Sequence, residues 1–174
     1  MDKEKNRNQS EKGQSMVELA VAVVVLLILV SGVVDLGRVS FHYIAMRDAA
    51  QEAASYASVF PNNNQQIFAR AIDGIAGDGV DPSRIEVILS FWDTSTDPDT
   101  LLYECTWRHD SLDDSPDPCA SDNPSNYEVS VDEVVEITIN DSAFPITMPL
   151  LGSFLGSQTI NLSTTIQDVV LSVP

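Results

Sequence analysis

The sequence predicts an α+β protein in which a long N-terminal transmembrane-plus-stalk helix packs on a small antiparallel sheet. Three observations carry this. Met16 to Val34 is an unbroken run of apolar or small residues apart from Glu18, and no proline interrupts the chain from there to Val59. Apolar and polar residues alternate at 84–92, 127–140 and 158–173, the period of strands with one buried face. Charge divides at the apolar run: residues 1–13 hold four basic side chains against three acidic ones, whereas beyond Asp35 five arginines face 21 acids, leaving −16.

The helix comes first. Nineteen residues from Met16 to Val34 span about 28 Å at the helical rise, close to the roughly 30 Å of a hydrocarbon core. Residues 1–13 read as a basic cytoplasmic leader and 14–35 as the transmembrane helix. Basic residues next to a span stay on the cytoplasmic side, so 36–174 forms an extracytoplasmic α+β domain on a single-pass protein of the cytoplasmic membrane. An acidic domain repels nucleic acid, which is excluded as its partner. The stalk, 36–60, carries Ala45, Ala49, Ala53 and Ala57 at intervals of four, with Ala50 and Ala54 beside them. That spacing stacks small side chains on one face, where the sheet can approach closely. The helix is expected to run from about Gln14 to Val59 and to stop at Pro61.

Asn63 or Asn64 caps a second, short helix, with Ile67, Ala71, Ile72 and Ile75 on its apolar side and Gly77 as its stop. The sheet occupies 84–173. Its first strand turns Ile85, Val87, Leu89 and Phe91 inward. Residues 93–126, rich in Asp, Pro and Ser, are expected to form a long acidic loop between strands. Strand character returns at 127–140 with a break near Asp132, "FPITMPLLGSFLG" is an apolar connection, and the last strand is 158–173.

Cys105 and Cys119 lie in the acidic loop. Outside the cytoplasm they would pair, closing a 15-residue loop worth about 3 kcal/mol in the chain-entropy picture. No catalytic constellation can be assembled from His42, His109 and the rest of the chain: G-x-S-x-G, H-E-x-x-H and a phosphate loop are all missing. The chain is therefore expected not to be an enzyme and to need no cofactor or metal. His42 is expected at the membrane interface. Asp93, Asp97, Asp99, Asp110, Asp113 and Asp114 offer oxygen ligands, but their spacing fits no EF-hand loop.

Glu18 is the anomaly. A carboxylate in a span is costly; near the end of the run it can snorkel, or it can serve assembly. The order of a basic leader ending in Gly13, then "QSMVE" and the apolar run resembles the type IV pilin signature. That resemblance implies cleavage by a prepilin peptidase between Gly13 and Gln14, and a role for Glu18 in pairing with the freed amine of a neighbouring subunit. Over residues 13–58 the chain resembles the TadE-like family of tight-adherence pilus proteins, through Gly13 and Gln14, Val17 and Glu18, Asp35, Gly37 and Arg38, Ala49 and Ala50, and Ala53, Ala54, Tyr56 and Ala57. Gln51, Glu52 and Ala53 stand where the family usually has Arg-Glu-Gly, and the acidic Cys loop is not a family feature. The resemblance implies a pilin-like minor component or assembly factor of a tight-adherence (Flp-type) pilus or related secretion system. Its partners would be other pilin-like subunits, the assembly machinery and the membrane. The alternative is a membrane-anchored binding module whose acidic loop takes calcium or a cationic partner.

Overall fold

The computed structural model describes residues 2–76, 81–108, 127–147 and 156–173. Helix α1 runs Asp2–Ala57 and α2 Asn64–Ala76. A short 3-10 turn, Pro82–Arg84, leads into strand β1, Ile85–Asp93. Strands β2 (Thr100–Arg108), β3 (Val134–Pro145) and β4 (Thr159–Val169) follow. The four strands form one antiparallel sheet in the order β2-β1-β3-β4.

Helix α1 starts a dozen residues before the expected Gln14, because the leader has no proline and, before Gly13, no glycine, and is rich in Lys and Glu, strong helix formers. It ends two residues before the expected Val59. Ser58 N still bonds Ala54 O at 2.9 Å and Phe60 N bonds Tyr56 O at 2.9 Å, after which Pro61 cannot donate. Asn63 is the cap of α2: its Oδ1 accepts from Gln66 N at 3.2 Å.

The chain divides into two compact units. One comprises Met1–Arg38 with Ile146–Gln158, the other Val39–Pro145 with Thr159–Pro174. In the first, every residue in the most apolar window of α1 is unburied. The second contains the core. Ala49, Ala50, Ala53, Ala54 and Ala57 of α1 share one buried cluster with Ile67, Phe68, Ala71 and Ile75 of α2 and with the inward residues of the sheet. Those include Ile85, Val87, Leu89 and Phe91, as the alternation of β1 requires, and Val135, Ile137 and Ile139 of β3. The Ala stripe also meets α2 directly. A Cβ on Gly74 would lie 2.8 Å from the Ala49 Cβ, so the two helices approach as closely as a glycine opposite an alanine allows.

The other face of the sheet is polar and bonded across the strands. Glu86 of β1 pairs with Arg108 of β2 and accepts from Asn140 Nδ2 of β3 at 3.2 Å, and Asn140 Oδ1 accepts from Ser163 of β4 at 2.6 Å. Thr138 and Thr165 share a 2.8 Å hydroxyl bond, and Gln167 donates to Glu136 at 2.7 Å. Cross-strand pairs of this kind hold register on a wet face.

Three expectations are corrected. The stretch 93–126 is not all loop: β2 occupies Thr100–Arg108 within it and pairs with β1 from Glu86↔Arg108 to Asp93↔Thr100. Tyr103 and Cys105 face the core and Trp107 packs against it, an alternation masked by the surrounding Asp and Pro. Phe144 and Pro145 belong to β3, past a bulge after Asp141, rather than to the connection that follows. Of the strand expected at 127–140, residues 127–133 are not strand: the chain turns at Asp132, which has φ 74°, Val170 N bonds Glu133 O at 2.8 Å, and β3 begins only at Val134.

Candidate functional site

Three clusters along α1 involve residues that the sequence singles out. At the start of the span, Gln14 Nε2 donates to Glu18 Oε1 at 3.3 Å across one helical turn. Met16, Val17 and Leu19 around them are 64 to 75% exposed, so the Glu18 carboxylate stands on an apolar surface that nothing in the described chain covers. Gly13, the expected cleavage position, lies within α1.

The second cluster is at the Asp35, Gly37, Arg38 exit. Asp35 is buried and takes Arg38 Nη1 at 3.2 Å together with the Thr147 hydroxyl, and Arg38 Nη1 also reaches Thr147 Oγ1 at 3.2 Å. A cation, an anion and a hydroxyl thus satisfy one another. Thr147 gave no sequence signal, since it is one polar residue within an apolar connection. Among the described residues no atom lies within 4 Å of where a Gly37 Cβ would stand, and none of them explains a glycine there.

The third cluster lies further up the helix, at His42, whose side chain is buried within the protein rather than exposed on the helix surface. Its Nε2 lies 2.9 Å from Asp141 Oδ2 on β3, and its ring stacks on Phe144 at 4.9 Å. Asp141, with no exposed surface, also accepts from Arg84 Nη2 at 3.4 Å and from Ala143 N at 3.1 Å. A buried carboxylate with three donors is well satisfied. It fastens the stalk to β3 and to the turn before β1. The sequence hides this, because Asp141 follows Asn140 at a strand bulge and its partner is 99 residues away.

Of the stalk alanines, Ala49, Ala53 and Ala57 are buried and Ala45 is half-buried. Cys105 is buried on β2. Cys119 lies outside the described residues, as do His109, Asp110, Asp113 and Asp114. The pairing of the two cysteines therefore stands as a proposal, checked by whether either thiol alkylates before reduction. Asp93 is occupied locally: hydrogen bonds from Ser95, one of them 2.8 Å from its backbone N, hold the Asp93 carboxyl below the usual carboxylate range. Among the described residues no three His, Cys, Asp or Glu side chains gather as a metal-binding group. An open groove of about 600 Å³ on the outer side of the stalk is crossed by Arg70, which bonds Glu52 at 2.7 Å and lies 4.4 Å over the Tyr56 ring.

The family model described as TadE-like protein matches residues 13–55. This is the stretch on which the resemblance rests, and it covers the span and most of the stalk but neither α2 nor the sheet. No curated protein and no solved structure matches the chain. A TadE-like segment points to tight-adherence pilus systems, and α1 is long and apolar enough to be a candidate membrane span, consistent with a membrane-anchored protein.

Proposed function

We propose that this protein is a non-enzymatic, pilin-like minor component or assembly factor of a tight-adherence pilus. It would sit in the cytoplasmic membrane with its N-terminus inside. The observation that carries the reading is Glu18, a carboxylate on the uncovered apolar surface of α1 five residues after Gly13. An ion so placed gains from a partner of opposite charge supplied by another subunit, because a paired charge in a low-dielectric bundle escapes most of the cost of isolation. Prepilin peptidase action after Gly13 would supply that partner as the α-amino group of Gln14. The other subunits, the peptidase and the assembly machinery are the partners this chemistry requires.

The test uses two variants and two readouts. Glu18→Gln removes a charge from the span and is expected to leave membrane abundance unchanged while abolishing crosslinks to pilus subunits. Gly13→Ala is expected to retain the basic leader, seen as slower migration and an unprocessed N-terminus, with the same assembly defect. Normal crosslinking by Glu18→Gln would overturn charge pairing and leave Glu18 as a snorkelling residue.

A further inference from the structure

Between Val34 and Arg47, α1 carries three Asp, Arg or His side chains, and all three are engaged within the chain: Asp35 and Arg38 with each other and Thr147, His42 with Asp141. The same stretch exposes Leu36 at 67%, Phe41 at 76%, Tyr43 at 43% and Ile44 at 53%. Helical spacing separates the two sets. Asp35, His42, Met46, Ala49 and Ala53 recur at intervals of three, four and seven on the inward side, and Leu36, Ser40, Tyr43, Ile44 and Arg47 on the outward one. The outward face, apolar apart from the small Ser40, thus passes the first acid beyond the span and ends at Arg47 and Asp48.

Its length identifies the occupant. Met16 to Ile44 is 29 residues, about 43 Å of helix. That exceeds a hydrocarbon core of about 30 Å but matches the roughly 40–45 Å of a bilayer with its headgroup layers. Phe41 and Tyr43 lie near its end, and an amphipathic tyrosine ring favours the headgroup level. We propose that a lipid surface covers this face, so that the membrane boundary at the folded-domain end lies at Phe41 to Ile44 rather than at Asp35.

Two consequences follow. The Asp35, Arg38 and Thr147 cluster stands at membrane depth, where mutual pairing is what makes a cation and an anion tolerable. About 20 residues suffice to cross the hydrocarbon, so counting back from Phe41 puts Glu18 in the opposite headgroup layer while the subunit is alone. The inference uses only the exposure of α1 and does not depend on the pilin-like reading.

The experiment is collision accessibility in the full chain, reconstituted at high dilution in phosphatidylcholine vesicles. Single substitutions Leu27→Cys, Phe41→Cys, Ile44→Cys and Asp48→Cys are spin-labelled, with the wild-type chain treated identically as background for Cys105 and Cys119. All four side chains are exposed, so folding is not at stake. The expected result is a severalfold higher ratio of oxygen to nickel-chelate collisions at 27, 41 and 44 than at 48. Labels at 41 and 44 that behave like the one at 48 would return the boundary to Asp35. Labels there shielded from both colliders would put a second copy of the chain on this face and equally overturn the lipid assignment.

Discussion

One helix serves two solvents. From Met16 to Val34, α1 is apolar or small on all sides apart from Glu18, and its side chains are almost all exposed, with only Ile28, Ser31 and Gly32 partly covered. From His42 to Ala57 the same helix buries one face, mostly alanine, against the chain itself and leaves its other face uncovered by the chain. The first segment, a candidate membrane span, carries bulky Val, Leu and Ile, the composition that hydrocarbon would reward in every direction. The second carries alanine because its neighbours are a helix and a sheet that must come close. Polar groups follow the same division: among the described residues Glu18 is bonded by the Gln14 side chain one turn away, whereas His42 is fastened to a fully buried aspartate. Helicity is common to both segments, and what differs is whether the chain itself supplies the covering surface.

The sharpest way to break this contrast is to remove one polar group from each half. Asp141→Ala takes the carboxylate away from His42 and Arg84, leaving Arg84 only the Ala143 carbonyl, and is expected to cost about 3–5 kcal/mol of domain stability. Glu18→Gln should leave the unfolding midpoint of the detergent-solubilised chain unmoved, read by Trp92 and Trp107 fluorescence. A large shift for Glu18→Gln would mean that the span and the domain are not energetically separate.

Apolar truncation is the next test. Met46, fully buried, should cost about 2–5 kcal/mol as Met46→Ala. Leu27→Ala, at a site 60% exposed, should leave domain unfolding within about 0.5 kcal/mol of wild type, the range of surface changes. Equal effects in denaturant titrations would contradict the division.

Gly74→Ala probes the close approach of the two helices. A methyl group would press on Ala49, and overpacking of this kind costs about 1–3 kcal/mol. Ala is otherwise the better helix former by up to about 1 kcal/mol, so a stabilised Gly74→Ala protein would show that the helices can separate.

The smallest effect is one of pH. Burial, and then the adjoining Glu133 carboxylate that accepts from its hydroxyl, push the Tyr127 phenol above the ordinary tyrosine range. A group whose pKa is raised by folding stabilises fully below its unfolded value, near 10, and loses that contribution as pH rises through the folded one. Stability should therefore fall above pH about 10, and Tyr127→Phe should make that fall shallower. Thermal melts at neutral and alkaline pH compare the two slopes, and equal slopes would leave Tyr127 without a part in it.

Much of this architecture is legible in the residues alone, and what escapes is of one kind. The apolar run, the alanines at intervals of four, a cap at Asn63 or Asn64 and the alternations of β1 and of Val135 to Ile139 are local patterns set by helical and strand periods, and each appears in the structure, although the first half of the strand expected at 127–140 is not strand and β3 begins at Val134. β2 escapes because its alternation of Tyr103, Cys105 and Trp107 is embedded in Asp and Pro that suit a loop; pairing with β1 outweighs that composition. The matched segment, residues 13–55, holds the apolar run and most of the alanine stripe.

By itself the sequence determined that a membrane-length helix continues into a small-residue stalk, that the charge lies on one side of it, and that alternating segments build a sheet. Those properties depend on neighbours within a few residues, and periodicity reports them. Only the tertiary structure decided that His42 belongs to the core, that Thr147 closes the Asp35 and Arg38 pair, that Gly74 lies against Ala49, and that the apolar face of α1 continues to Ile44. Each of these depends on which distant residue arrives to cover or satisfy a side chain. Thr147 is 112 residues from Asp35, and Asp141 is 99 from His42. A buried polar group declares its partner only when the chain has closed around it.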